Sequence, residues 1–274
     1  MPVASIWREE VGVNALRWWQ KGMVGLSLAV LAFLYLPIVI LVVFSFNDSK
    51  VTSFPLAGFT LHWYEAFLSN EQMLRALSNS LVVASFATAL SVVIGVTAAL
   101  ALDRYEFSGK RLFQNAILLP LSLPGIVTGI AMLNFYKQIG IPQSLTAVVI
   151  GHATALLGVV VSQVMARLSK LNRRQLEASA DLGATSVETF RRVTLPAIGS
   201  SIFGSALLCF TLSFDEIPVT YFLTGREVTL PIYIYSTLRR GITPEINAVG
   251  TVIVAVSFVL IILSVTLLRD RRES

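Results

Sequence analysis

The sequence predicts an all-α integral membrane protein of six transmembrane helices with both termini in the cytoplasm. Three observations carry that prediction. Only 14% of the 274 residues are charged and 55% are hydrophobic, whereas a soluble domain carries about 25% charged residues. Charge is missing from six separate stretches of 22 to 29 residues, and a helix needs roughly 20 apolar residues to cross a bilayer core. The basic residues between those stretches alternate in density from loop to loop, as they do in membrane proteins of fixed orientation.

Backbone polar groups in lipid must be bonded within their own segment, so each stretch reads as a helix. The first, Gly22–Asn47, exceeds the apolar core of a signal peptide, and no small-residue cleavage site precedes Asp48; it is expected to remain as an anchor. Trp18 and Trp19 before it, and Trp63 and Tyr64 after it, suit the headgroup level. Part of Phe54–Phe67 is expected to form an amphipathic helix on the outer surface. The second stretch is Ala76–Leu102. The third, Leu112–Tyr136, holds Pro120 and Pro124, which imply an irregular helix, and Gly125-x-x-x-Gly129, a spacing that permits close helix approach. The fourth, Gln138–Ala166, carries His152, whose bland role is a helix-packing hydrogen bond. The fifth, Val193–Phe214, opens at Pro196, where a missing N–H costs little; its apolar character continues to Tyr221, although Pro218 breaks the helix. The sixth is Ile246–Leu268. One transmembrane domain, residues 1–274, is therefore expected, with spans near 22–47, 76–102, 112–136, 138–166, 193–221 and 246–268.

The N-terminus, the 103–111 and 167–192 loops and the C-terminal tail hold 15 lysines and arginines, and the opposite side holds 6. Both termini are thus assigned to the cytoplasm. The net charge of +5 reflects that sorting and gives no nucleic-acid footprint. The single cysteine, Cys209, excludes a disulfide framework and a cysteine-ligated metal; His62 and His152 are too far apart in sequence to suggest a histidine site. Phosphate-loop, zinc-protease and nucleophile-elbow motifs are absent. No catalytic residue and no metal ligand is assigned, and energy for any transport must come from a gradient or another subunit.

The most structured polar segment is the loop at about 167–197. Asn172 is placed to cap a short helix running toward Leu182, and Gly183 suits the left-handed residue that ends it. Thr185-x-x-Glu188 has capping-box spacing for a second short helix. Leu176, Ala180 and Gly183 fall on one stripe. Such a loop is either a solvated connector or a docking platform for a soluble partner.

Glu177-Ala178-Ser179-Ala180-Asp181-Leu182-Gly183-Ala184, followed by Leu195-Pro196, resembles the EAA loop of permease subunits of binding-protein-dependent ABC importers. That pattern is Glu-Ala-Ala, a glycine four residues on, and later a hydrophobic-x-Leu-Pro; this chain departs only at Ser179. The resemblance implies a type I ABC importer permease fold in a bacterial inner membrane. It also implies that Glu177, Ala178, Ser179, Ala180, Asp181, Gly183, Ala184, Leu195 and Pro196 dock on an ATPase. The implied partners are a second permease, two ATPase subunits and an external substrate-binding protein. ATP and magnesium belong to the ATPases, and this chain is expected to bind no cofactor.

Phe214-Asp215-Glu216-Ile217, Phe222-Leu223-Thr224-Gly225, Thr229-Leu230-Pro231, Ile234-Tyr235-Ser236 and Gly241–Ala248 are similar to the second permease of spermidine/putrescine-type importers. That subfamily also serves other small solutes, among them 4-aminobutyrate and opine-like compounds. A stand-alone secondary transporter is the alternative class. About 28 Å along the fifth helix, Asp215 and Glu216 lie at membrane depth, where ionisable groups are costly and usually functional. They either meet a cationic solute or serve structure, as helix caps or as partners of Arg239 or Arg240. Tyr221, Tyr233 and Tyr235 offer aromatic faces to an ammonium or act as interfacial anchors.

Overall fold

The computed structural model describes the backbone of residues 3–273 except 240 and 242, and the side chains of 19–259 except those two. Arg240, the side chains of Arg8, Arg17, Trp18, Arg269, Arg271 and Arg272, and those of the sixth expected stretch beyond residue 259 lie outside the described residues. All regular elements among the described residues are helical. Among the described residues, four helices are long and apolar enough to cross a membrane, and a fifth span results if one sharply bent pair is counted together. The chain divides into two compact units, residues 1–69 with 241–274 and residues 70–240.

The first unit holds α1 (Val3–Ser45), α2 (His62–Ser69) and α12 (Pro244–Glu273). Gly250 of α12 lies where a Cβ would come within 3.0 Å of Leu41 Cδ1 on α1. The segment after α1 is pinned rather than free. Trp63 Nε1 donates to the Asn47 carbonyl at 2.8 Å, and Asn47 Oδ1 accepts from the Ala57 N–H at 2.9 Å. Trp63 is buried, and its indole N–H has found a protein acceptor. The expected amphipathic helix begins only at His62.

The second unit is built around α3 (Glu71–Arg104), α6 (Leu145–Leu168) and α9 (Leu195–Phe214). The buried face of α3 includes Ser80, Ala84, Ala87, Ser91, Gly95 and Ala99, a small-residue stripe at helical spacing, beside the larger Met73, Val83 and Leu102. Without a hydrophobic force between helices in lipid, such residues let backbones approach closely. A Cβ on Gly95 would stand 2.7 Å from Val160 Cβ on α6. Ser91 Oγ donates to the carbonyls of Ala87 and, across the interface, Ala153.

The third uncharged stretch is not one helix. It forms α4 (Lys110–Ser122) and α5 (Gly125–Gln138), bent by 114°. Pro124 offers no N–H, and Leu123 before it is extended at φ −91°, ψ 145°, the conformation a following proline imposes. The fourth stretch begins later than expected. Gly140 turns at φ 77°, Pro142 follows, and the Ser144 hydroxyl caps α6 by accepting from the Ala147 N–H at 3.2 Å.

The helix of the fifth span ends at Phe214, short of residue 221, and beyond the expected break α10 (Pro218–Leu223) is a separate short helix. Pro218 cannot supply the N–H that would continue α9. It occupies the first turn of α10, where no donor is needed. Beyond it, α11 (Leu230–Leu238) is tied to α3: Ser80 Oγ accepts from the Leu230 N–H at 2.8 Å, and Asn79 Nδ2 donates to the Val228 carbonyl at 3.0 Å.

Candidate functional site

The loop after α6 folds as its sequence grammar requires. Asn172 Oδ1 accepts from the Arg174 N–H at 3.1 Å and starts α7 (Arg173–Asp181). Gly183 closes that helix at φ 80°, a left-handed conformation costing other L-residues roughly 1–2 kcal/mol. Thr185 and Glu188 then form a reciprocal capping box: the Glu188 N–H donates to Thr185 Oγ1 at 3.3 Å, and the Thr185 N–H donates to Glu188 Oε2 at 2.8 Å. These bonds from Thr185 hold the Glu188 carboxyl below the usual range, with Arg192 adding a smaller push in the same direction.

The capped helix α8 (Ser186–Thr189) runs without interruption into α9. The join is a π turn at Phe190–Thr194, in which the Leu195 N–H bonds the Phe190 carbonyl five residues back. Pro196, in the first turn of α9, leaves the Arg192 carbonyl without its ordinary i+4 donor. The wider π register accommodates that gap.

The expected docking residues divide between two surfaces. Leu176, Glu177, Ala180 and Ala184 line a groove of about 480 Å³ whose other wall includes Leu100 and Asp103 at the end of α3. The Arg173 guanidinium stands 3.9 Å from the Asp103 carboxylate, and Arg104 Nη2 is 3.5 Å from Ser186 Oγ. Those contacts tie the loop to α3. Ser179 is bonded to Thr189 across the turn at 2.9 Å. Ala178, Asp181 and Gly183 are exposed. Leu195 is partly exposed, beside Pro196.

Two residues absent from the sequence-based set dominate the open surface: Leu182 is 88% exposed and Val187 is 73% exposed. Large apolar side chains so fully presented on a polar loop suit a partner surface. In the sequence, two large apolar residues flanking Gly183 in an otherwise polar segment are the signal that marks them.

The second candidate region is the break between α9 and α10. Glu216 Oε1 accepts from the Val219 N–H at 2.9 Å, so this carboxylate caps α10. Asp215 is exposed and forms no ion pair and no side-chain hydrogen bond among the described residues. Neither carboxylate is paired with Arg239, whose Nη2 donates to Tyr235 Oη at 2.6 Å while its guanidinium lies 4.7 Å from the centre of that ring. One face of Tyr235 is thus covered by a cation of its own chain. Tyr221 is exposed, and its ring meets Phe222 edge-on at 5.6 Å. Tyr233 Oη accepts from Asn70 Nδ2 at 3.2 Å. The break therefore brings Asp215, Glu216 and Tyr221 into one segment, while Tyr235 belongs to α11.

Both glycines of the Gly125-x-x-x-Gly129 pair face this segment. A Cβ on Gly125 would lie 3.1 Å from Pro218 Cβ and 3.6 Å from Glu216 Oε1; one on Gly129 would lie 2.8 Å from Phe222 Cδ2 and 3.1 Å from the Pro218 carbonyl oxygen. The close approach expected from the spacing is present, and its partner is α10.

Residues 91–273 match the family described as binding-protein-dependent transport system inner membrane component. The spermidine/putrescine transport system permease protein PotC of Escherichia coli K12 is 36% identical over 250 residues, covering 91% of this chain and 94% of that protein. The putrescine transport system permease protein PotI of the same strain is 36% identical over 229 residues, 81% of each chain. Among solved structures, a bacterial ABC transporter involved in import of the acidic polysaccharide alginate aligns with a TM-score of 0.68 at 18% identity, over 93% of this chain and 97% of that one. At that identity the likeness establishes the fold alone.

Proposed function

The chain belongs to the binding-protein-dependent transport system inner membrane components, and from that premise we propose that it is the non-catalytic permease subunit of an ATP-driven importer of polyamines. The observation that carries the substrate class is its 36% identity, over most of its length, to permeases for spermidine and putrescine. The alginate transporter shares the architecture at too low an identity to speak for the cargo. In this reading the chain is a single permease domain crossing the bacterial inner membrane six times, both termini in the cytoplasm. The bent pair α4–α5 forms the third crossing and α12 the sixth.

It assembles with a second permease, two ATPases that hold ATP and magnesium, and an external binding protein. The loop at about 167–197 docks on an ATPase through Glu177, Ala178, Ser179, Ala180, Asp181, Gly183 and Ala184, flanked by Leu195 and Pro196 and extended by Leu182 and Val187. ATP binding and hydrolysis then drive alternating access. Asp215 contributes the carboxylate that a passing ammonium meets, with Tyr221 of α10 and Tyr235 of α11 as aromatic contacts. A lone carboxylate away from bulk water attracts a cation more strongly than one in water and still releases it. Glu216 serves the same segment by holding α10 in place.

The test is uptake by the complete complex in proteoliposomes, with binding protein outside and ATP inside. Labelled spermidine or putrescine should accumulate only with hydrolysable ATP. Accumulation of 4-aminobutyrate but no polyamine would replace the cargo while keeping the importer class. Gradient-driven accumulation without the ATPases would overturn both.

A further inference from the structure

His152 lies in the eighth position of α6 and is 2% exposed. Its Nδ1 is 2.8 Å from Ser213 Oγ, on the last turn of α9, and its Nε2 is 2.8 Å from Thr220 Oγ1, on the first turn of α10. The two hydroxyls stand on either side of the break that carries Asp215 and Glu216. Thr220 Oγ1 also donates to the Glu216 carbonyl at 2.9 Å. A hydroxyl has one proton, so with that proton spent on Glu216, Thr220 accepts from the histidine. The ring then carries its proton on Nε2, and Nδ1 accepts from Ser213. Every member of the chain Ser213–His152–Thr220–Glu216 is satisfied in this one arrangement.

We propose that His152 is a positioning residue that pins the α9–α10 break and so holds Asp215 where the passing solute meets it, an inference that rests on the importer reading above. Asp215, Glu216 and Ile217 separate two helix ends: the Asp215 N–H bonds back to Thr211 of α9 and the Ile217 carbonyl accepts from Tyr221 of α10, but among the described residues no backbone hydrogen bond runs from α9 to α10. The Glu216 side chain fixes the start of α10 to its own turn, but not to α9. The imidazole supplies that missing connection, since among the described residues it is the one side chain bonded to both ends. A flat ring with polar atoms on opposite edges is well shaped for such a link, because its two bonds run to different helices with no rotatable bond between them. Buried polar groups left unpaired are costly, so the pin resists loosening. An aliphatic side chain of equal bulk would fill the space without linking the ends.

Two measurements on the complete complex decide the matter, both in a Cys209→Ala background. The first reads geometry directly. With Asp215→Cys as reporter, labelling by a charged, water-soluble thiol reagent should change by about tenfold when His152→Leu is added, the size of coupling seen between residues of one hydrogen-bonded network. Thr220→Val should reproduce part of that change and Thr220→Ser none of it. His152→Gln, whose amide offers both a donor and an acceptor, should recover part of the original rate. The second reads function. His152→Leu should raise the KM for uptake about tenfold, with ATPase docking and the maximal rate little changed, and should add nothing in an Asp215→Asn background. An unchanged labelling rate, or fully additive effects of His152→Leu and Asp215→Asn, would overturn the pin. If Asp215→Asn transports normally, the pathway role of Asp215 falls, and the labelling result still decides whether His152 fixes the break. Should His152→Leu fail to assemble, Ser213→Ala and Thr220→Val carry the same two measurements.

Discussion

Ser179 Oγ and Thr189 Oγ1 lie 2.9 Å apart, joining α7 to α8 across the Gly183 turn. Ser179 is the one position at which this chain departs from the Glu-Ala-Ala pattern, and the departure has acquired a partner. Ser179→Ala removes a hydrogen bond worth about 0.5–1.5 kcal/mol and leaves Thr189 free to bond water. The expected result is faster amide hydrogen exchange at 186–190 with uptake retained, because alanine is compatible with the docking surface of the family.

Replacing Gly183 acts differently. Open space surrounds the Cα, but the residue sits at φ 80°, so a side chain strains the turn without a clash. Gly183→Leu is expected to leave the chain in the membrane while abolishing transport-coupled ATP hydrolysis. Leu182→Asp and Val187→Asp should weaken copurification of the ATPase, since hot-spot truncations commonly cost 2 kcal/mol or more, roughly thirtyfold in affinity. Normal coupled hydrolysis in all three variants would remove the docking assignment.

The two adjacent carboxylates separate cleanly by amide substitution. Glu216→Gln keeps an oxygen able to accept from the Val219 N–H, whereas Asp215→Asn removes charge from a group with no structural bond among the described residues. Polyamine uptake should fall at least about tenfold for Asp215→Asn and by much less for Glu216→Gln. Initial rates in proteoliposomes measure both. The reverse ranking would give Glu216 the pathway role.

The capping box predicts a pH response confined to the loop. The folded-state pKa of Glu188 is lowered, chiefly by its bonds from Thr185. Its contribution is therefore complete above the ordinary carboxylate range and is lost as pH falls through the lowered value. Hydrogen exchange at 186–189, corrected for intrinsic rates, should accelerate under acid conditions. Glu188→Gln should abolish that acceleration while preserving the bond from the Thr185 N–H.

Local signals in the sequence translated directly into structure. Asn172, Gly183 and the Thr185–Glu188 pair act through neighbours within four residues, and each does what its type and spacing imply. Pro124 and Pro218 marked where helices break, because a missing N–H is a property of the residue itself, whereas Pro120 is carried inside α4. How far the chain turns at such a point is not local: the 114° bend between α4 and α5 is accompanied by the packing of Gly125 and Gly129 against α10. The partners of His152 were invisible for the same reason, since Ser213 and Thr220 are 61 and 68 residues away. The stripe along α3 was hidden because Ser, Ala and Gly are near-neutral on a hydropathy scale and matter only once a neighbour presses against them. Glu216 as a cap and Asp215 as the freer acid required the register of α10, which no count of charges supplies.

The π turn at Phe190–Thr194 has a mechanical consequence. Because the helix axis is never interrupted there, Ser186–Phe214 is one strut of 29 residues, about 43 Å long at 1.5 Å per residue. Helices are stiff along their length and yield at breaks, so a push at Val187 is not absorbed on the way. If Val187 docks on an ATPase as proposed, its displacement would be carried along this strut to the α9–α10 break, where the His152 bonds to Ser213 and Thr220 would pass it on to α10.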